Sequence, residues 1–415
     1  MSSQELIRAA HTNPLTHLTD TEAMLDMKKL RAYRLGRVRA ELVKRDLGAC
    51  VLFDPISIRY ASGYRNLPVF SMHIPGGYLF VPVEGPVVLF ESEISHHVAK
   101  GLETIDEVRP ALPQHYFIGG NRMDEWVVKC TEEIADLVDA HCAGNRRVAL
   151  TRVDVRMGSE LDKHKLEGFD AAEVMEHARS IKSPEEIMCM NVAIGVAEVG
   201  MSRMREALRP GMTETEFWAI LHQTNMSMGG EWIDCRLVSS GDRSVPWMRE
   251  VSQRMIRPAE LVAFDTDMVG PFGYAADISR TFYSGPGKPS ASKREIYKLA
   301  YEEVHHNLEL VKAGVSFKEY SQKSWRQPAQ YLANRYVAVA HGIGMCDEWP
   351  TIVYPDDYDR FGYDGVLQEG MTISVESFIG AEGGTEGVKL EQQVLVTDVG
   401  YELLSHFPFE EDLLA

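Results

Sequence analysis

Two aspartates separated by one residue close an apolar stretch, Leu261-Val262-Ala263-Phe264-Asp265-Thr266-Asp267. At strand spacing their side chains share one face. After Gly270-Pro271-Phe272-Gly273 comes Asp277, and a hairpin there returns it beside the first pair. Three carboxylates gathered in this way cost several kcal/mol unless a cation joins them. Farther on, Glu376 interrupts the apolar run Thr372-Ile373-Ser374-Val375, and Glu391 precedes Gln392-Gln393-Val394-Leu395-Val396. These are acids where a core strand normally carries none. His341, in His341-Gly342-Ile343-Gly344, adds an imidazole on a backbone that glycine lets turn tightly. Taken singly, each aspartate reads as a turn or strand end and the histidine as a structural ring. Taken together, carboxylates and one imidazole make a donor set suited to iron, manganese or cobalt, and less exclusively to zinc.

Elements able to position these groups are visible in the periodicity. With 415 residues, 45% apolar and 25% charged, the chain is too long for one typical domain, and two are expected. In the first, residues 1–182, Met24, Leu25, Leu30, Tyr33, Leu35, Val38, Leu42 and Val43 recur at helical spacing between Thr21 and Asp46. Strands are expected at 49–53, 78–81, 87–91 and 147–150, with a helix over 123–140, an alternation that implies an α/β domain. The segment 154–181 reads as connecting chain. A second domain, residues 183–415, opens at Ser183-Pro184-Glu185-Glu186, which combines an N-cap serine, a proline at the first helical position and a glutamate three residues after the cap. Thr213-Glu214-Thr215-Glu216 repeats the capping pattern, a third helix is expected from Lys293 to about Lys312, and strands at 261–268, 281–283, 371–378 and 392–396. Short repeats are not seen, which disfavours a solenoid or propeller.

A net charge of −18 argues against nucleic acid or an anionic membrane as partner, since both need clustered positive charge. Six cysteines at 50, 130, 142, 189, 235 and 346 form no C-x-x-C pair, so neither a disulfide framework nor a thiolate zinc site is indicated. Met1 to Leu18 lacks the basic start and apolar run of a leader, and no stretch reads as a bilayer span, so a cytoplasmic protein is expected.

The order of acidic strand, Tyr274-Ala275-Ala276-Asp277-Ile278-Ser279-Arg280-Thr281-Phe282, His-Gly-Ile-Gly, strand Glu376 and then Glu391 resembles the pita-bread family of methionine and proline-specific aminopeptidases, prolidase and creatinase. Phe53-Asp54-Pro55-Ile56-Ser57-Ile58-Arg59-Tyr60-Ala61-Ser62-Gly63-Tyr64 resembles that family's creatinase-type N-terminal domain. The resemblance implies a mixed α/β (α+β) fold, with a creatinase-type N-terminal domain followed by a pita-bread catalytic domain. It also implies metal ligation by Asp267, Asp277, His341, Glu376 and Glu391, with Asp265 as a sixth ligand. The family's aspartates usually lie eleven apart, whereas Asp267 and Asp265 precede Asp277 by ten and twelve residues, so both remain candidates for the bridging position.

Proline-specific peptidases of this fold carry a histidine in a His-Glu-x-Pro motif where this chain has Asp347-Glu348-Trp349-Pro350. They place another after a Ser-Gly pair, where Ser240-Gly241 here leads to Trp247. The sequence is similar instead to the dimethylsulfoniopropionate lyases of the DddP type, found in marine bacteria. That similarity implies two divalent metal ions, iron first, with manganese, cobalt, nickel or zinc as alternatives. It implies a sulfonium substrate, Asp347 as the base of an elimination, and a homodimer. The aromatics Trp232, Trp247, Trp349, Tyr336 and Tyr274 are candidates to frame the sulfonium through their ring faces, or are plain core. The competing readings are a proline-specific aminopeptidase, a creatinase-like hydrolase and a non-catalytic pita-bread module.

Overall fold

The computed structural model describes residues 3–11 and 24–415. Contacts divide the described residues into Asp26–Arg179 and a second unit of Ser180–Ala415 together with residues 3–11 and 24–25. The described residues before 26 group with the second unit. Their helix, Ser3–Ala10, buries Leu6, Ala9 and Ala10, and the Asn191 amide donates to the carbonyls of Ala9 (2.6 Å) and Ala10 (3.0 Å).

In the first unit, strands β1 (Ala49–Leu52), β2 (Tyr78–Pro82), β3 (Val88–Glu91), β4 (Glu107–Pro110), β5 (Arg147–Leu150) and β6 (Glu167–Asp170) form one sheet in the order β4-β3-β2-β1-β5-β6. The expected helices appear as Met27–Lys44 and Met123–His141; Thr21 lies outside the described residues. The segment 154–181 is not mere connection. It holds helices Val155–Lys163 and Ala172–Ser180 around β6, which pairs parallel to β5 as a sheet edge. Its strand, Glu-Gly-Phe-Asp, is largely exposed and lacks the apolar run that marks a buried strand.

The second unit opens with the Pro184–Ala207 helix, whose capping box forms as expected, as does that of the Glu214–Ser227 helix. By length and composition the first of these could cross a membrane, contrary to the sequence expectation. Its apolar surface is packed within the unit, and Ile187, Met190, Ile194, Val196 and Met201 are buried. An all-round apolar helix of this kind is a core helix.

Three sheets follow. Strands β7 (Trp232–Ile233), β10 (Met268–Val269) and β11 (Ala275–Ala276) make one, in the order β11-β10-β7. A second is β12-β9-β8, from β8 (Val238–Ser240), β9 (Leu261–Asp265) and β12 (Ser279–Tyr283). The third is β14-β13-β15-β16-β17, from β13 (Ala338–Ile343), β14 (Asp347–Val353), β15 (Thr372–Ile379), β16 (Val388–Val396) and β17 (Tyr401–Leu403). β15 and β16 are buried along their whole length, and alternation sorts their residues. Ile373, Val375, Leu390 and Val394 join the core that includes Tyr297, Ala300 and Val304 of the Ala291–Leu308 helix. Glu376, Lys389, Glu391 and Gln393 therefore occupy the opposite face.

Candidate metal centre and active site

β9 ends at Asp265, and Asp267 has a left-handed backbone (φ 35°), a conformation Asp tolerates better than most residues. The aspartate pair is thus set by a turn rather than by unbroken strand alternation. Thr266 holds that turn to the returning strand: its hydroxyl donates to Ala276 O at 2.7 Å and accepts the Ile278 N–H at 3.0 Å. With β10 paired to β11 and β9 to β12, the expected hairpin brings oxygens of Asp265, Asp267 and Asp277 within 4.8 Å of one another.

β15 and β16 set Glu376 directly opposite Glu391. His341, on β13 opposite Ser374, points Nε2 at Asp277 Oδ2 (3.3 Å), Glu376 Oε1 (3.5 Å) and Glu391 Oε1 (3.5 Å). All six expected ligands therefore converge from four chain segments into one cluster. Asp267 Oδ2, Asp277 Oδ1, Glu376 Oε1 and Glu391 Oε1 are buried without a conventional hydrogen bond, the condition that a bound cation relieves. The donor set of five carboxylates and one imidazole fits divalent metal ions.

Sequence reasoning missed Lys389. Its ammonium, fully buried, meets Glu376 Oε2 at 2.8 Å, Asp265 Oδ2 at 3.1 Å and Glu391 Oε2 at 3.3 Å, and donates to Ser279 Oγ at 2.9 Å. A lysine on a strand usually faces solvent; its spacing of two from Glu391 was the signal that it shares the acidic face. Electrostatics follow this layout. Burial, then neighbouring carboxylates, push the Asp267 and Asp277 carboxyls well above the usual range. Burial also lifts Glu376 to about 7, whereas Glu391 is held low despite its burial because Lys389 and His341 favour its anion.

Asp347 begins β14 with its carboxylate 3.9 Å from His341 Nδ1, on the ring edge away from the cage oxygens, and its side chain is 75% exposed. Two further groups lie close by that the sequence did not mark. Asp234 is raised to about 6 by burial and by the Asp347 charge. At Cys235, burial followed by the Asp267 charge drives the thiol up.

The candidate aromatics separate. Tyr336 stands at the cluster, with Lys389 Nζ 4.9 Å from its ring centroid, and the Glu376 charge followed by burial raises its hydroxyl far above the usual phenol range. Trp247 is buried beside Phe378, ring centroids 5.9 Å apart, in an apolar cluster that Tyr336 also packs against. Tyr274 directs its hydroxyl to Glu186 (2.7 Å), Trp349 packs its ring on Phe317 (5.2 Å), and Trp232 is 42% exposed on β7.

The chain resembles known proteins along most of its length. Residues 188–398 match the model of metallopeptidase family M24, and residues 34–181 match the creatinase/prolidase N-terminal domain. The chain is 36% identical over 397 residues to the dimethylsulfoniopropionate lyase DddP of Roseovarius nubinhibens, covering 94% of this chain and 89% of that one. It is 35% identical over 394 residues to the DddP of Roseobacter denitrificans, covering 94% and 88%. Among solved structures, the X-Pro aminopeptidase of Thermotoga maritima superposes with a TM-score of 0.71 at 21% identity, covering 90% of this chain and 98% of its own. The Xaa-Pro dipeptidase of Bacillus anthracis gives 0.72 at 22%, covering 91% and 98%; both likenesses bear on the fold. The chain belongs to metallopeptidase family M24, with a creatinase-type N-terminal domain and a pita-bread C-terminal domain, and its relatives include the DddP lyases.

Proposed function

We propose that the protein is a metal-dependent lyase that cleaves dimethylsulfoniopropionate to dimethyl sulfide and acrylate. The observation that carries the reading is the pairing of the complete carboxylate–imidazole cage with Asp347 at the His341 edge, in a chain more than one-third identical to curated DddP lyases. Five carboxylates against the one ammonium of Lys389 leave four negative charges, the charge that two divalent cations balance. When bound, such ions would take up the substrate carboxylate and draw charge from it, acidifying the adjacent C–H.

Asp347 supplies the base. It takes the proton from the carbon next to the carboxylate, the C–H pair becomes the new C=C bond, and the C–S pair leaves with sulfur as neutral dimethyl sulfide. Sulfonium is already a good leaving group, so the reaction needs no attacking water. Tyr336 contributes an aromatic face at the cluster, one side of which already faces the Lys389 ammonium.

The shared cage also favours a second reading, hydrolysis of Xaa-Pro peptides. The two are separated by giving purified, metal-analysed protein dimethylsulfoniopropionate and an Xaa-Pro dipeptide in parallel. Headspace dimethyl sulfide with equimolar acrylate supports the lyase; release of proline without dimethyl sulfide replaces it with the peptidase.

A further inference from the structure

The turn that opens the Pro184–Ala207 helix is tied to three segments that carry site residues. Lys182 N–H donates to Gly370 O at 2.9 Å, just ahead of β15 and Glu376. Glu186 accepts the Tyr274 hydroxyl three residues before Asp277. The Lys182 ammonium meets Glu348 Oε2 at 2.7 Å, with side chains 2% and 1% exposed. Glu348 uses its other oxygen to accept the Met345 N–H at 3.0 Å. The loop 344–346 is held in turn by the Ala275 N–H, which donates to Gly344 O at 2.7 Å. Gly344 leaves room for this packing: a Cβ there would stand 2.4 to 2.6 Å from the Glu348 carboxylate.

A buried ion pair is a poor way to gain stability, since apolar residues of similar volume often serve as well or better. What charge pairing adds is direction. Glu348 follows Asp347 in β14, and the alternation that turns Glu348 inward turns Asp347 outward beside His341. We propose that Lys182 and Glu348 are a positioning pair for the Asp347 base, fixing the start of β14 so that the carboxylate is presented at the His341 edge. This rests on Asp347 being the base.

The test uses the full-length, metal-loaded protein in three variants: Lys182→Met/Glu348→Leu, which leaves no lone buried charge; Gly344→Ala, which crowds Glu348 while keeping both charges; and Asp347→Asn. Metal content, kcat and KM on dimethylsulfoniopropionate are measured for each. The positioning role predicts wild-type metal content and KM within about twofold in the double variant and in Gly344→Ala, with kcat lower by about tenfold to a hundredfold, the scale of a misplacement of about 1 Å. Should the double variant fail to fold, Gly344→Ala decides alone. Wild-type kcat in either metal-replete variant, with Asp347→Asn inactive, overturns the positioning role alone. An active Asp347→Asn overturns the base and this inference with it.

Discussion

Glu376 and Glu391 face each other across the β15–β16 ladder, and Lys389, two residues before Glu391 on the same face, reaches the outer oxygen of each. Like charges directly opposite in an antiparallel pair repel, and here both are fully buried. The lysine answers one side of the pair, and the inner oxygens, Glu376 Oε1 and Glu391 Oε1, face His341 Nε2. Each glutamate thus has one oxygen committed to a built-in cation and one turned toward the space where metal would bind.

Stripping divalent ions with a chelator should lower the unfolding temperature, because the inner oxygens lose their counter-charge. A ligand at a hundredfold excess over its dissociation constant stabilises the folded state by about 2.7 kcal/mol. Scanning calorimetry before and after chelation, then after return of manganese or iron, reads this directly. Identical melting with and without metal would count against the centre.

Lys389→Met should make the protein far more dependent on metal. It strips the outer oxygens of Asp265, Glu376 and Glu391 of their cation, and breaking a buried pair costs about 3–5 kcal/mol. The loss should be larger in the metal-free form, where nothing else offsets the carboxylates. Equal destabilisation of the loaded and metal-free forms would show that Lys389 acts independently of the cage.

Asp347→Asn should retain metal and lose dimethyl sulfide release by about 10²–10⁴-fold, the usual contribution of a positioned base. Asp277→Ala and Glu391→Ala should lose metal and activity together. Metal content by elemental analysis beside headspace product separates the two classes.

Glu303 offers a pH test away from the cage. Burial raises its carboxyl from 4.5 to about 7, opposed by hydrogen bonds from Ser377, Tyr354 and Gln327. The folded state therefore keeps a proton that the unfolded chain has released. The stabilisation is complete below the unfolded value and is lost as pH rises through about 7. Between pH 5 and 8 this group should remove on the order of 1–3 kcal/mol of stability, and Glu303→Gln should flatten that part of the profile. Denaturant melts of both proteins across the range check it; the same slope in the variant assigns the dependence elsewhere.

The sequence by itself determined the donor chemistry. Acids inside apolar strands, a histidine among glycines and two capping boxes are local signals; both helix starts stand where those signals put them, and the six candidate ligand side chains lie together in one cluster. The departure at Asp347 was equally local. Only tertiary structure decided what required distant partners. β13, with its small residues and a bulge beside His341, carries no strand period of its own and is fixed by pairing with β14 and β15. Tyr274, Trp349 and Tyr336 look alike as aromatics near motifs, yet they went to Glu186, Phe317 and the cluster. Lys389 and Lys182 were not among the sequence candidates; the packing of both faces of the sheet and of the helix start buries them against Glu376 and Glu348. Periodicity says which residues share a face, whereas the neighbour covering that face is set by long-range pairing, which no local spacing encodes.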